Sequence, residues 1–180
     1  MTPSNAQAQI YARHLVELGF LENLVNQMGY STELIEASKD VPYHTLLINL
    51  DSDQQDRPRQ MTLTFYPIDA EQFENTLLLQ YFLELPFSVQ PRAIDEMNKL
   101  LIYLNNKAVV GHFGITQGQN KLHHRYVQTL SSEDVVNEGI AADTIVLFNY
   151  TSILFGNILE SVASGKMSAA EAQQQADNIG

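Results

Sequence analysis

The chain has 180 residues, of which 44% are hydrophobic and 17% charged, and 21 acids against 10 bases give a formal charge of −11. This composition is typical of one globular domain and excludes wholesale disorder, which combines low hydrophobicity with high net charge. The acidity opposes binding to nucleic acid or anionic lipid, and the absence of cysteine excludes disulfides, thiolate nucleophiles and cysteine metal clusters.

The amino-terminal stretch "MTPSNAQAQI" has neither a basic region nor an apolar run. No stretch reaches the roughly 18 uninterrupted apolar residues of a membrane helix. We therefore expect a soluble, unprocessed, cytoplasmic chain that binds no membrane.

The first half of the chain predicts one helix and then two strands. Residues 4–28 carry apolar side chains at helical spacing, and residues 29–44 predict a connection with one short turn of helix. "TLLINL" (45–50) and "QMTLTFYP" (60–67) alternate apolar and polar residues, as the strands of a half-buried sheet do. The polar stretch between them contains a proline and predicts an exposed hairpin loop.

The middle of the chain predicts a third strand, a helix and a hairpin. "NTLLLQYFLELPF" (75–87) alternates as a strand, which Pro86 is expected to end. "PRAIDEMNKLLIYLNN" (91–106) returns to helical spacing and gives the clearest helix in the sequence. "AVVGHFGIT" (108–116) and "KLHHRYVQTL" (121–130) predict two strands joined by a glycine-containing turn.

The last part of the chain predicts a long helix. Residues 131–134, "SSED", supply polar caps and acids that favour a helix start, and the apolar pattern continues to about residue 163. The order α-β-β-β-α-β-β-α predicts an α+β fold, in which an antiparallel sheet of about five strands has flanking helices. We expect a single domain over residues 1–165 and a short peripheral helical tail over residues 166–180.

The adjacent histidines in "KLHHRYVQTL" look most like chemistry. If the hairpin turn lies at "QGQN", Phe113 pairs with His124 and His112 pairs with Arg125. Neighbouring residues of a strand point to opposite faces, so His123 and His124 cannot chelate one ion. We expect His124 at the edge of the core with a local hydrogen bond. His112 and His123 share the other face and leave a metal-assisted or acid/base site open as an alternative.

Other chemistry finds little support in the sequence. It contains no phosphate-binding loop, no serine flanked by glycines at a nucleophile elbow and no zinc-protease helix. Asp51, Asp53 and Asp56 lie in the first hairpin loop, where a solvated acidic loop is favoured over a cation site. The sequence therefore predicts no catalytic residue, no metal and no cofactor.

The long helix carries more apolar residues than one buried stripe requires. One face holds Leu147, Leu154, Ile158 and Val162, and a second holds Ile145, Phe148, Phe155 and Leu159. This wide arc indicates packing against both the sheet and the first helix, or a surface for a second copy or a client. The side chains expected at a partner surface are Leu78, Phe82, His112, His123, Arg125, Phe148 and Phe155.

The element order and the stretches "PRAIDEMNKLLIYLNN", "AVVGHFGIT" and "KLHHRYVQTL", followed by "SSEDVV" and a long apolar helix, resemble the superfamily of type III secretion chaperones and YbjN-like proteins. The resemblance covers roughly residues 10–163 and is closer to the YbjN-like branch. It implies a small acidic α+β domain with an antiparallel sheet, often homodimeric, that binds polypeptide segments and catalyses nothing.

Three hypotheses of function follow. The first is a non-enzymatic protein- or peptide-binding module, chaperone-like or regulatory, that forms a homodimer. The second is an enzyme centred on His112 and His123. The third is a sensory domain that holds a small apolar ligand beneath the long helix.

Overall fold

The computed structural model describes residues 5–66, 68, 73, 75–116 and 118–179. Its helices and strands are α1 (Asn5–Gln27), β1 (Ser31–Ile35), β2 (Thr45–Leu50), β3 (Arg59–Tyr66), β4 (Thr76–Ser88), α2 (Ile94–Asn105), β5 (His112–Thr116), β6 (Lys121–Ser131), α3 (Glu138–Ala163) and α4 (Ala169–Asp177). Within the described residues the six strands form one antiparallel sheet in the order β1-β2-β3-β4-β6-β5. The predicted α+β class is confirmed, with one strand more than expected.

The additional strand is β1, which lies where the sequence predicted a connection with a turn of helix. That prediction is wrong, because Ser31–Ile35 pair antiparallel with β2, from Ser31 opposite Asn49 to Ile35 opposite Thr45. The strand lies at the edge of the sheet, and none of its residues is fully buried. An edge strand without a buried face has little of the apolar alternation that reveals a strand in a sequence.

Two predicted boundaries also move. Pro86 does not end β4, which continues to Ser88, because the φ of proline suits extended backbone and only its N–H is lost. The long helix begins at Glu138 rather than near residue 131, because β6 continues to Ser131. Its end at Ala163 agrees with the prediction.

The chain divides into two compact units, and the first contains α1 and the strands β1 to β3. Unit 1 comprises residues 1–50, 60–81 and 127–143. Here α1 packs against β1 and β2. Its core includes Leu18 and Val25 of α1 and the alternating side chains of β3, each at most 1% exposed: Met61, Leu63 and Phe65. The period of two in the sequence therefore identified the buried face of β3 correctly.

The second unit contains α2, β5, α4 and most of α3. Unit 2 comprises residues 51–59, 82–126 and 144–180. Here α2 packs against β5 and α4. The tail helix α4 begins with a capping box, in which Ser168 accepts from the Glu171 N–H and the Glu171 carboxylate accepts from the Ser168 N–H. It buries Ala172 completely.

Candidate functional site

The pairing of β5 with β6 separates the two adjacent histidines. His112 lies opposite Arg125, Phe113 opposite His124, and Gly114 opposite His123. This register is the one predicted from the position of the turn. His124 is therefore directed to the covered face of the hairpin and His123 to the other face.

His124 is a structural residue inside unit 2. It is 0% exposed, and its ring stacks between Phe113 and Phe148 with centroid distances of 4.4 and 4.0 Å. Its Nε2 lies 2.9 Å from the Val110 carbonyl oxygen, and its Nδ1 lies 2.8 Å from the Ser152 hydroxyl. Since a carbonyl only accepts, the neutral ring carries its proton on Nε2. Its Nδ1 then faces the Ser152 hydroxyl, which also donates to the Phe148 carbonyl oxygen at 3.0 Å. The predicted burial of His124 with hydrogen bonds is confirmed, but the ring lies inside the core rather than at its edge, and its partners are 14 and 28 positions away in the sequence.

The environment of His124 keeps the ring neutral. Burial is the largest cause and lowers its pKa to about 4, whereas the hydrogen bond to Val110 acts in the opposite direction. A neutral imidazole held by two hydrogen bonds between two aromatic rings has no free position for a substrate or a metal ion. His123 and His124 are therefore adjacent in the sequence but do not form a common binding or catalytic site.

His123 packs on the opposite face as a half-buried aromatic group. Its ring stacks on Phe82 with a centroid distance of 5.2 Å, and its Nδ1 lies 3.2 Å from the Thr116 hydroxyl. Gly114 lies beneath the ring, where an added Cβ would come within 2.8 Å of the His123 Nε2. Because Gly114 has no side chain, the His123 ring can lie close to the backbone of β5.

His112 is exposed on the same face, as predicted, with Arg125 opposite. Burial and the Arg125 guanidinium lower the pKa of His112. Burial, His112 and Arg125 lower the pKa of His123. Among the described residues no group of three or more His, Cys, Asp or Glu side chains is placed to hold a metal ion. The adjacent guanidinium also disfavours a cation there.

The remaining predicted partner residues divide between a half-buried and a buried set. Leu78 and Phe82 of β4 are half-buried. Phe148 and Phe155 are 0% and 4% exposed, because they pack in the core of unit 2, where Phe155 lies edge-on to Phe113. The expectation that these two phenylalanines belong to a partner surface is wrong.

A different face of α3 is exposed and apolar. Four side chains within eight residues are 43–55% exposed and follow one another at helical spacing: Val146, Leu147, Tyr150 and Ile153. We call these four residues the α3 stripe. The side chains on the opposite side of the helix are buried, including Ile145, Phe148, Phe155, Ile158, Leu159 and Val162. The sequence predicted surplus apolar surface on the long helix. Most of the side chains that it assigned to the two apolar faces are buried, however, and Leu147 is the one member of the α3 stripe among them.

The sequence of α3 is apolar on nearly every side of the helix, and this pattern is the feature that indicates an exposed apolar face. The helix contains Glu138, Asp143 and Glu160 and no lysine or arginine. By length and composition it resembles a membrane-spanning helix, yet half of its most apolar segment is buried inside the protein. A core helix of a soluble protein has the same composition.

The loop between β2 and β3 is fastened to α3 next to this stripe. The Arg57 guanidinium donates to both carboxylate oxygens of Glu160 at 2.8 and 2.7 Å, and its Nε donates to Asp53 at 2.6 Å. Hydrogen bonding from Arg57 holds the pKa of Glu160 below its ordinary value. Asn157 donates to Gln54 in the same region. The prediction of a solvated acidic loop is therefore wrong for Asp53, which has a fixed cationic partner.

This loop, the end of β4 and α3 surround a cavity of about 120 Å³. Its apolar lining comes from Leu85, Pro86, Phe87, Ile153 and Gly156. Its polar lining includes Asp51, Asp53, Arg57, Arg59, Asn157 and Glu160. All of these residues belong to unit 2, and Ile153 belongs both to the cavity and to the α3 stripe.

Comparisons with known proteins concern the fold. No protein-family model matches the sequence, and no curated protein matches it significantly. Among solved structures, the crystal structure of YbjN, a proposed transcription regulator from E. coli, matches over 82% of this chain and 93% of that chain. The two sequences are 18% identical and the TM-score is 0.45. The matched structure carries the family name that the sequence resemblance predicts.

Proposed function

We propose that this protein is a non-enzymatic polypeptide-binding module, chaperone-like or regulatory, which binds a basic amphipathic segment along the α3 stripe. The observation that carries the proposal is the exposure of Val146, Leu147, Tyr150 and Ile153 on a helix whose opposite side is buried. Contiguous apolar side chains on a protein surface are a common mark of an interaction site. A helical segment laid along such a face contacts it at the same spacing of three to four residues.

Charge selects the kind of partner. The helix that bears the stripe contains no basic residue and has Glu138 and Asp143 on its amino-terminal side, whereas Glu160 on its carboxy-terminal side is paired with Arg57. The whole chain carries a formal charge of −11. A partner with lysine or arginine around its apolar residues gains from this field, whereas an acidic partner is repelled.

The stripe alone supports a weak complex. Burying the exposed half of a large apolar side chain contributes roughly 1 kcal/mol, so the four side chains contribute ~4 kcal/mol. Association costs about 4–15 kcal/mol in lost translational and rotational freedom. Ionic contacts at the ends of the stripe, and contacts beyond it, are therefore needed for micromolar affinity.

A second copy of this chain is the competing occupant, since a homodimer is expected from the sequence resemblance. Two copies that each carry a formal charge of −11 repel one another, which disfavours a stable dimer through the stripe at low salt. Sedimentation equilibrium of the protein and of a stripe variant separates the two cases. The homodimer and the cytoplasmic location stay predictions.

The test uses two synthetic peptides of about 18 residues, one of leucine and lysine with leucines at helical spacing, and one with glutamate in place of lysine. We expect fluorescence anisotropy to detect binding of the basic peptide and at least about tenfold weaker binding of the acidic one. The double variant Leu147→Ser/Tyr150→Ser is expected to bind the basic peptide at least about tenfold more weakly than the original protein.

The matched control is Val16→Ser/Phe20→Ser, which removes an exposed apolar pair from α1 and leaves the charge of the protein unchanged. We expect this control to change the affinity less than about twofold. Equal loss in both variants, or equal binding of both peptides, contradicts the proposal. A dimer that becomes a monomer in the stripe variant, without peptide binding by the original protein, assigns the stripe to a second copy instead.

A further inference from the structure

We propose that the cavity beside the α3 stripe receives one apolar side chain of the bound segment, of the size of leucine, isoleucine or methionine, with a basic residue next to it. This inference rests on the proposed function and names the chemistry of the partner. The cavity supplies the additional contact that the stripe needs for a stable complex.

Continuity of the surface is the first observation. Ile153 is 52% exposed at the carboxy-terminal end of the stripe and also lines the cavity. Gly156 and Asn157, on the next turn of α3, line the cavity as well. A segment that follows the stripe toward the carboxy terminus of α3 therefore reaches the cavity within one helical turn.

Size is the second observation. The cavity of about 120 Å³ is somewhat smaller than the roughly 150 Å³ apolar cavity that accepts benzene in a well-studied case. One branched or unbranched aliphatic side chain fits this volume, and its walls at Leu85, Phe87 and Ile153 are apolar. A buried anchor side chain in such a pocket is typical of the residues that dominate binding energy.

The rim of the cavity is the third observation. The carboxylates of Asp51, Asp53 and Glu160 line it together with Arg57 and the buried Arg59. Arg57 is engaged by Asp53 and Glu160 and lies 5.5 Å from the centre of the Phe87 ring. Asp51 is exposed at this rim. Since Asp53 and Glu160 are paired with Arg57, a lysine or arginine beside the anchor approaches the exposed carboxylate of Asp51, and the ionic network holds the loop in place before the partner binds.

Gly156 offers a direct way to close the cavity. A Cβ built at this position meets no atom within 4 Å, and Gly156 lines the cavity, so we expect a leucine there to occupy part of it. Gly19 on α1 is a matched control, because it is also a helical glycine whose added Cβ meets nothing within 4 Å. Both substitutions favour the helix, since glycine has a low helix propensity.

The experiment combines the cavity variant with a leucine scan of the probe. The basic peptide and its single Leu→Ala derivatives are titrated against the original protein, Gly156→Leu and Gly19→Leu. With the original protein we expect replacement of one particular leucine of the peptide by alanine to weaken binding about tenfold, and replacement of each other leucine to weaken it less. In Gly156→Leu this preference is expected to disappear, whereas in Gly19→Leu it stays.

The outcomes separate this inference from the proposed function. If Gly156→Leu keeps the full preference, or if every leucine contributes equally to binding by the original protein, the cavity is not the anchor site, although the stripe still binds the peptide. If the original protein binds no basic peptide, both proposals fail.

A second variant keeps the inference testable if Gly156→Leu does not fold. Phe87→Ala enlarges the cavity and is expected to shift the preferred anchor from leucine to phenylalanine in an otherwise identical peptide. An unchanged order of preference contradicts the inference.

Discussion

The buried histidine His124 makes the stability of the protein depend on pH in a defined window. Burial lowers its pKa to about 4 in the folded protein, whereas in the unfolded chain it lies near 6.5. The unfolded chain therefore binds more protons than the folded protein between these values. The contribution of His124 to stability is complete above about pH 6.5 and is lost as the pH falls toward about 4.

The size of this effect follows from the two pKa values. At about pH 5 the unfolded form of this residue is nearly fully protonated and the folded form is mostly neutral, so the free energy of unfolding falls by ~2 kcal/mol relative to about pH 8. The pKa of His14 is also lowered to about 4, by burial and by the nearby His44 and Arg13. Protonation of His14 therefore also reduces the free energy of unfolding as the pH falls. The carboxylates with lowered pKa values act mainly at lower pH, since their stabilisation is lost as the pH falls through those values.

The assay is urea unfolding followed by far-ultraviolet circular dichroism at about pH 8 and about pH 5, for the original protein and for His124→Gln. Glutamine retains a hydrogen-bonding amide and does not titrate. We expect the variant to have a lower free energy of unfolding than the original protein at both pH values. Between about pH 8 and about pH 5, however, its free energy of unfolding should fall by ~2 kcal/mol less than that of the original protein. Equal pH dependence of the two proteins would refute the reasoning, as would an NMR titration of His124 with a pKa near 6.5.

Three further substitutions test the local geometry. Gly114→Ala places a Cβ 2.8 Å from the His123 Nε2, so the ring must move from its position on Phe82; we expect a loss of up to ~1 kcal/mol in the free energy of unfolding, and NMR signals of the His123 ring that do not shift contradict the stacked geometry. Ser168→Ala removes the capping box of α4 and is expected to cost ~1 kcal/mol, seen as faster amide exchange confined to that helix. Glu160→Gln weakens the attachment of Arg57, with an expected loss of ~0.5–1 kcal/mol at low salt that shrinks as salt is added. A loss that does not depend on salt argues against an ionic contribution.

The sequence predicted most of the fold where periodicity and burial coincide. The alternation in β3 and the spacing in α2 correspond to faces that are buried in the structure, and the register at His124 followed from the position of one turn. β1 was missed because an edge strand that buries nothing fully lacks alternation. The start of α3 was misplaced because polar residues cap a helix and also end a strand.

The candidate site was less predictable. Phe148 and the exposed side chain of Leu147 are neighbours in the sequence and both are apolar, so composition alone does not indicate which one faces solvent. The attachment of Arg57 to Glu160 joins residues more than a hundred positions apart, and no local pattern encodes it. The cavity beside α3 is lined by both of these residues and was likewise not foreseeable.

The most direct measurement of the central claim is a methyl NMR titration of the isotope-labelled protein with the basic leucine–lysine peptide. The account predicts that the methyl signals of Val146, Leu147 and Ile153 shift first and most, while those of the exposed Val16 on α1 and Ile102 on α2 remain unchanged. Shifts centred on α1 or α2, or no shift on α3 at saturating peptide, would contradict it.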